Sequence, residues 1–263
     1  MSGPRESAAA PTSPSEVRLI GLGATPEITP GADLARLVAE AAAASGVRLL
    51  DGDVVIVTHK AVAKAEGRLL DLRTVEPSTL ALEFGATWKR DPRQIEVVLR
   101  ESARIVRMDR GLIIAQTRHG LVCANAGVDQ SNVPGDDMVC LLPLDPDQSA
   151  RRLREGLRQR LGVAVATIIS DSFGRTWRLG IVNVAIGVAG LRPLIDYRGQ
   201  PDNDGRTMSA TVMAVADELA ASAELVTGKL DRRPFVVVRG YRYAPAEGSA
   251  REIVMDSLTD FFR

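Results

Sequence analysis

Arg104-Ile-Val-Arg-Met-Asp-Arg-Gly-Leu-Ile-Ile-Ala-Gln-Thr-Arg-His-Gly-Leu-Val-Cys-Ala-Asn-Ala126 contains three short apolar runs. Within each run the pattern repeats about every two residues, which is typical of β-strands. Asp109-Arg-Gly111 and Thr117-Arg-His119 separate the runs and are typical of hairpin turns. The stretch therefore predicts an antiparallel meander.

Helical and strand patterns alternate irregularly on both sides of this meander. Helices are predicted over Asp33–Ser45, from Asp91 onward, and over Asp145–Leu161, Met208–Val226 and Arg251–Phe262. Strands are predicted over Val17–Ile20, Asp53–Thr58, Val163–Ile169, Gly180–Gly187 and Phe235–Val238. Because no regular βαβ repeat emerges, we predict an α+β fold with mixed, largely antiparallel sheets and packed helices.

The Ser-, Pro- and Ala-rich residues 1–16 lack the apolar core of a signal peptide, so we expect a disordered leader there. Residues 17–263 are expected to form one domain or two intertwined subdomains. We expect structure to begin near Val17.

The composition excludes several classes of protein. The chain has 263 residues with 33 basic and 33 acidic side chains, so its formal net charge is zero. Neither nucleic-acid binding nor attraction to an anionic membrane is expected without a basic excess, and no apolar stretch is long enough to span a bilayer. Cys123 and Cys140 are too few for a disulfide framework and are predicted to be buried structural thiols. We expect a cytoplasmic protein.

Two common nucleotide-binding motifs are missing. Gly21-Leu-Gly23 follows a predicted strand, but Pro26 occupies the position of the third glycine of a dinucleotide fingerprint. The sequence also lacks the Gly-x-x-x-x-Gly-Lys-[Ser/Thr] phosphate loop. A nucleotide site in this chain would have to be of another kind.

Two acidic segments follow predicted strands. Asp129 lies in Ala124-Asn-Ala-Gly-Val-Asp-Gln-Ser-Asn132, and Asp171 and Ser172 follow the apolar strand that ends at Ile169. Each segment alone is more commonly a turn cap, the usual role of Asp and Asn in such positions. Together they suggest a shared site for Mg²⁺ or Mn²⁺, which favour carboxylate and other oxygen ligands.

Basic residues near these segments have two interpretations each. His59, Lys60 and Lys64 form either a solvated helix face or part of a site at the end of a buried strand. Arg175 and Arg178 flank Trp177 and either stack on it at the surface or hold a phosphate or carboxylate of a substrate.

Several motifs together resemble one family. They are Lys64-Ala-Glu-Gly67, Asp91-Pro-Arg93, the Ala124–Asn132 segment, Ser170-Asp-Ser-Phe-Gly-Arg-Thr-Trp-Arg178 and Glu224-Leu-Val-Thr-Gly-Lys229. In this order they resemble the coenzyme F420-0:L-glutamate ligases, also called F420:γ-glutamyl ligases. The resemblance extends from about Val17 to Arg242.

The resemblance implies an activity, cofactors and partners. Members of the family join L-glutamate to coenzyme F420-0 at the expense of GTP, through an acyl phosphate, and then add further glutamates by γ-linkage. It implies two Mg²⁺ or Mn²⁺ ions per site, with K⁺ as a further candidate, a homodimer, and a fold peculiar to the family. Some relatives carry an additional flavin-binding domain, and since this chain stops at Arg263 we expect a stand-alone ligase domain.

The resemblance also implies roles for particular residues. Asp129 and Asp171 correspond to ligands of the first metal and Ser172 to a ligand of the second. Nucleotide contacts correspond to Ile20, Gly21, Leu22, Gly23, His59, Lys60, Lys64, Asn132, Val226, Thr227, Gly228 and Lys229. Lys64 is assigned a catalytic role on the triphosphate, and Arg175 and Arg178 are our own candidates for holding F420-0. A side-chain metal ligand is expected near Gly228, where this chain offers only Lys229.

Other activities remain open at the level of sequence. A non-catalytic F420-binding protein would share the fold, and a relative could join a different amino acid to a different carboxylate. The sequence does not decide between F420-0 and a dehydro precursor, between Mg²⁺ and Mn²⁺, or how many glutamates are added.

Overall fold

The computed structural model describes residues 15–23, 25–256 and 259–260. The helices are α1 (Leu34–Ala44), α2 (His59–Ala65), α3 (Thr79–Trp88), α4 (Pro92–Glu101), α5 (Pro146–Leu161) and α6 (Val215–Thr227). The strands are β1 (Arg18–Gly21), β2 (Val54–Thr58), β3 (Leu69–Asp71), β4 (Ser102–Asp109), β5 (Leu112–Thr117), β6 (Val122–Ala124), β7 (Met138–Cys140), β8 (Ala166–Arg175), β9 (Arg178–Ala189), β10 (Ile195–Asp196), β11 (Val212–Met213) and β12 (Phe235–Arg239). The leader predicted over residues 1–16 lies almost wholly outside the described residues.

A five-stranded sheet in the order β1-β12-β2-β8-β9 forms the centre of the fold. Its neighbouring strands are antiparallel except for β2 and β8, which run parallel with Thr58 opposite Ser170. The carboxyl end of β2 therefore lies beside Ser170 in the middle of β8, and β8 continues past it to Arg175. The α+β class with largely antiparallel sheets is confirmed.

Both faces of this sheet are buried, and alternate residues of β2 show why. Val55 and Val57 pack with α1 and α5 on one face, whereas Val54 and Ile56 pack with α6 on the other. A strand that is covered on both faces requires a continuous apolar run, which β2 has. The run predicted to be a buried strand is confirmed.

A third apolar core joins α3 and α4 to the predicted meander. The meander is confirmed as the antiparallel sheet β4-β5-β6, and Ile113 of β5 packs with Ile95 and Val98 of α4. A small sheet of β3 and β7 adds Val139 to the same core. This part of the chain lies between β2 and β8 in sequence and carries Asp129.

The predicted helix starts follow simple capping chemistry. Asp33, Asp91 and Asp145 each cap a helix by accepting a hydrogen bond from a backbone N–H of the first turn. Gly162 ends α5 with a φ of 69°, in the left-handed region that glycine adopts without strain. These three helices confirm the boundaries read from the sequence.

Three boundary predictions were wrong. The strand predicted to stop at Ile169 continues to Arg175, because β9 supplies partners for its backbone. The helix predicted from Met208 begins at Val215, since Val212 and Met213 pair instead with β10 and the acidic Asp217 and Glu218 favour a helix start there.

The third wrong prediction is the closing helix over Arg251–Phe262. Residues Ala250–Glu252 form a single 3₁₀ turn, in which Ser249 and Glu252 make a capping box. No described residue from 253 to 256 continues it as a helix, and residues 257–258 and 261–263 lie outside the described residues. No helix of the described residues is long and apolar enough to cross a membrane.

Gly187 of β9 provides a test of how α5 packs on the sheet. A Cβ atom at Gly187 would lie 2.5 Å from the carbonyl carbon of Pro146, the first residue of α5. We predict that Gly187→Ala lowers the free energy of unfolding by about 1–3 kcal/mol, because rigid backbone has to move. Urea unfolding followed by circular dichroism measures this change.

Gly174 of β8 supplies the matched control, since a Cβ there meets no atom within 4 Å. Gly174→Ala should alter the free energy of unfolding by about 0.5 kcal/mol or less. Equal unfolding midpoints for the two variants would contradict the close packing of α5 on β9.

Candidate active site

A cavity of about 660 Å³ opens where β2 ends beside Ser170 of β8. Its wall includes ten of the residues singled out from the sequence: His59, Lys60, Lys64, Asp129, Asn132, Asp171, Ser172, Thr227, Gly228 and Lys229. They come from four separate parts of the chain. The parallel pairing of β2 with β8, the loop after β6 and the end of α6 bring them together.

Asp171 and His59 form a buried pair on the floor of the cavity. His59 Nδ1 lies 2.9 Å from Asp171 Oδ1, and Ser172 N donates to the same oxygen at 2.7 Å. Asp171 Oδ2 accepts no hydrogen bond from the described residues. Burial acts to lower the pKa of His59, but the charge of Asp171 and its hydrogen bond raise that pKa to about 9, with a smaller contribution from Cys140. The pair leaves one carboxylate oxygen of Asp171 available to a ligand.

Ser172, the next residue of β8, belongs to a chain of hydrogen bonds. Its Oγ donates to Asn183 Oδ1 at 2.7 Å, and Asn183 Nδ2 donates to Glu224 Oε2 at 2.9 Å. Asn183 and Glu224 also line the cavity, on β9 and α6 respectively. These two hydrogen bonds thus connect β8, β9 and α6 at the cavity wall.

Asp129 is paired with Lys60 across the cavity. Lys60 Nζ donates to Asp129 Oδ2 at 2.6 Å and also to the backbone oxygen and hydroxyl of Ser131. Ser131 in turn donates its N–H to Asp129 Oδ1 at 2.8 Å. Burial acts to raise the pKa of Asp129, but the bonds from Lys60 and Ser131 lower it to about 2. Asp129 is therefore ionised throughout the physiological range.

The cationic side chains of the cavity differ in whether they have an acidic partner. Lys64 Nζ lies 2.5 Å from Glu27 Oε1, whose side chain is 62% exposed. Lys229, Arg232 and Arg233 line the cavity and form no ion pair with any of the described residues. An anionic ligand would find one cation with a solvated partner and three without one.

Gly228 cannot supply the side-chain ligand expected there. Its φ of 63° lies in the left-handed region, and a Cβ would lie 2.9 Å from Cγ of Asp231. Lys229 lines the cavity, but an ammonium group cannot coordinate a cation. Nothing at these two positions adds to the metal donors.

The remaining predicted contacts lie outside the cavity wall. Ile20 and Gly21 belong to β1, Leu22 is fully buried in the core, and Gly23 N donates to Ser45 Oγ at 2.7 Å. Gly21 packs against the backbone of Val226, where a Cβ would lie 2.6 Å from the carbonyl oxygen. This segment leads directly into Thr25–Ile28, which does line the cavity.

Arg175 and Arg178 sit at the exposed tip of the β8–β9 hairpin. Arg175 donates to the backbone oxygens of Leu179 and Gly180, and neither arginine lines the cavity. They share a strand pair with Asp171 and Ser172, but the hairpin carries them away from the metal donors.

Among the wall residues that carry a charged or amide side chain, sequence reasoning missed five: Glu27, Asn183, Glu224, Arg232 and Arg233. Asn183 interrupts the apolar run of β9, and a polar residue in a buried strand is the signal that could have identified it. Glu224 lies within the Glu224–Lys229 motif but was not considered separately. The other three lie in loops, where charged residues carry no such signal.

The oxygen donors of the cavity fit a magnesium-like cation. No group of three or more His, Cys, Asp or Glu side chains in the described part of the chain could hold a metal by itself. Mg²⁺ needs fewer, since it typically binds one or two carboxylates and completes its shell with water and phosphate oxygens. Asp171 Oδ2 and the Ser172 hydroxyl oxygen belong to residues of the cavity wall and could each serve as an oxygen ligand. Asp129 could do so only while it also accepts the hydrogen bond from Lys60.

Both cysteines are buried, as predicted. Burial raises the pKa of the Cys123 thiol to about 12, so this thiol is unreactive.

Comparison with known proteins identifies the family. Residues 23–240 match the F420-0:gamma-glutamyl ligase family. The chain is 42% identical over 250 residues to the coenzyme F420:L-glutamate ligase of Methanothermobacter thermautotrophicus, covering 94% of this chain and 99% of that protein. It is 46% identical over 242 residues to the enzyme of the same name from Methanopyrus kandleri, covering 90% and 94%. This chain therefore belongs to the F420-0:gamma-glutamyl ligase family.

Proposed function

We propose that this protein is an acid–amino-acid ligase that joins L-glutamate to coenzyme F420-0 with conversion of GTP to GDP and inorganic phosphate. The observation that carries the proposal is the meeting of Asp129, Asp171 and Lys64 in one cavity, in a chain of this family. Further glutamates would then be added by γ-linkage. A homodimer is part of the proposal and rests on family resemblance.

The proposed reaction has two steps. The terminal carboxylate of F420-0 attacks the γ-phosphorus of GTP, so that a C–O–P bond forms, the bond to the bridging oxygen breaks and GDP leaves. The amine of glutamate then attacks the acyl carbon, loses a proton, and displaces inorganic phosphate to give an amide. Activation is required because a carboxylate is a poor electrophile.

Phosphoryl transfer depends mainly on positioning and on neutralising charge. Mg²⁺ or Mn²⁺, when bound, would neutralise phosphate oxygens and stabilise charge that develops on the transferred group. Asp129, Asp171 and Ser172 are the residues that would hold it. Lys64 would bind the phosphates as a point charge in place of Glu27, and Asn132, Thr227 and Lys229 would border the nucleotide.

The first prediction concerns the reaction itself. Purified protein incubated with F420-0, L-glutamate, GTP and Mn²⁺ should yield glutamate adducts of F420-0, and mass spectrometry would detect and count them. Asp129→Asn should reduce the rate on the order of 10²-fold, the cost of losing one electrostatic contact to the reacting groups.

Asp136→Asn is the matched control, because Asp136 is exposed in the same loop and does not line the cavity. It should ligate at the unaltered rate. No adduct with intact GTP would instead support a non-catalytic binding protein. Loss of GTP without an adduct would show that the acceptor or the amino acid is another.

A second prediction separates the two substrates. The Lys64 side chain is 11% exposed, and loss of its contact to an anion should cost about 1.5–3 kcal/mol. Lys64→Met should therefore raise the KM for GTP by about 10- to 100-fold and leave the KM for F420-0 nearly unchanged. Steady-state kinetics with each substrate varied in turn measures both values.

A third prediction tests the hairpin tip. If Arg178 holds F420-0, Arg178→Ala should raise the KM for F420-0 by about two- to fivefold, the range for an exposed charge pair, without altering the KM for GTP. Arg175→Ala is tested in the same way. Unchanged kinetics in both variants would exclude the hairpin tip from substrate binding.

A further inference from the structure

Two side chains behind Ser172, Asn183 and Glu224, were not assigned any role from the sequence. Ser172 of β8 and Asn183 of β9 are direct cross-strand partners. Their side chains share the hydrogen bond that continues to Glu224 on α6. Asn183 is 5% exposed, so its amide is almost completely withdrawn from water.

The donor and acceptor inventory fixes the direction of this chain. The carboxylate of Glu224 can only accept, so it binds the NH₂ end of the Asn183 amide and turns the amide oxygen toward Ser172. A serine hydroxyl has a single hydrogen, and that hydrogen is donated to Asn183. The oxygen of Ser172 therefore offers only lone pairs to the cavity.

We propose that Asn183 and Glu224 are positioning residues that hold Ser172 as an acceptor-only ligand for a divalent cation. This inference rests on the metal requirement within the proposed function. A hydroxyl that keeps its hydrogen free can rotate it toward the cavity and repel a cation. The hydrogen bonds from Ser172 through Asn183 to Glu224 prevent this rotation and keep the hydroxyl hydrogen directed at Asn183.

The same chain also attaches α6 to β9, so a purely structural role must be separated from a positioning role. Asp217, seven residues before Glu224 on α6, accepts a hydrogen bond from Ala185 N of β9 at 2.8 Å. This second attachment lies two residues from Asn183 along the strand. Asp217→Ala therefore loosens the same helix without contacting Ser172, and it serves as the matched control.

The test measures Mn²⁺ binding by electron paramagnetic resonance, with the full chain and without nucleotide or F420-0. Asn183→Leu, Glu224→Leu and Ser172→Ala should each weaken Mn²⁺ binding about tenfold or more, the usual effect of losing a residue that orients a metal ligand. Glu224→Gln keeps an acceptor oxygen for Asn183 and should bind within about threefold of wild type. Asp217→Ala should do the same.

Circular dichroism and urea unfolding of every variant establish which ones fold, and Glu224→Leu tests the chain from its other end should Asn183→Leu fail to fold. Wild-type Mn²⁺ affinity in Asn183→Leu or Ser172→Ala would overturn the proposal. Equal weakening in Glu224→Gln and Glu224→Leu would overturn it in favour of a role for the charge. Equally weakened Mn²⁺ binding in Asp217→Ala would overturn the positioning role and show that Asn183 and Glu224 act only by attaching α6 to β9.

Absence of Mn²⁺ binding to the wild-type protein would overturn the proposal as well. Its failure is distinguishable from failure of the ligase. Adduct formation by the wild type, with equal Mn²⁺ binding in all variants, overturns the positioning role alone. The expected pattern of Mn²⁺ affinities without any adduct overturns the ligase alone.

Discussion

The parallel pairing of β2 with β8 is the constraint on which the site depends. Thr58 lies opposite Ser170. The next residues, His59 after Thr58 and Asp171 after Ser170, therefore lie close enough for their side chains to pair. In an antiparallel pair the chain after Thr58 and the chain after Ser170 would run in opposite directions. The residues between β2 and β8 include the meander β4-β5-β6 and, after it, Asp129, whose side chain pairs with Lys60 beside the end of β2. One strand pairing thus brings Asp171 and His59 together beside the Asp129–Lys60 pair.

Three pairs of charged or ionisable side chains in the cavity are in contact before any ligand binds. Lys60 neutralises Asp129, Glu27 neutralises Lys64, and His59 lies against Asp171. Such pairing limits the cost of burying charge, because an isolated buried ion would be far less stable. It also means that a phosphate group competes with an existing partner at Lys64, whereas at Lys229, Arg232 and Arg233 it meets cations that have none among the described residues.

Local patterns allowed most of the fold to be predicted. The meander, the doubly buried strand β2 and the capped helices follow from alternation, apolar runs and Asp caps, each of which acts within a few residues. The errors arose where pairing with another strand decides the structure. Pairing with β9 extends β8 beyond Ile169, and pairing with β10 makes Val212 and Met213 a strand where a helical turn was predicted. The site divides in the same way. Asp171 and Lys64 belong to recognisable motifs, but nothing local reveals that Asn183 faces Ser172 across a strand pair.

The two sides of the cavity differ in rigidity, and this difference suits phosphoryl transfer. Asp171 and Ser172 of β8 pair with Val184 and Asn183 of β9, and the backbone of Asp129 exchanges two hydrogen bonds with Cys140. The oxygen donors are therefore fixed by main-chain pairing as well as by His59 and Asn183. Glu27 and the cations Lys229, Arg232 and Arg233 lie instead on connections outside the helices and strands. Because a bound cation demands fixed oxygens while nucleotides and acceptors must enter and leave, the proposed function would place the metal on the sheet side of the cavity and the anionic substrates largely on the loop side.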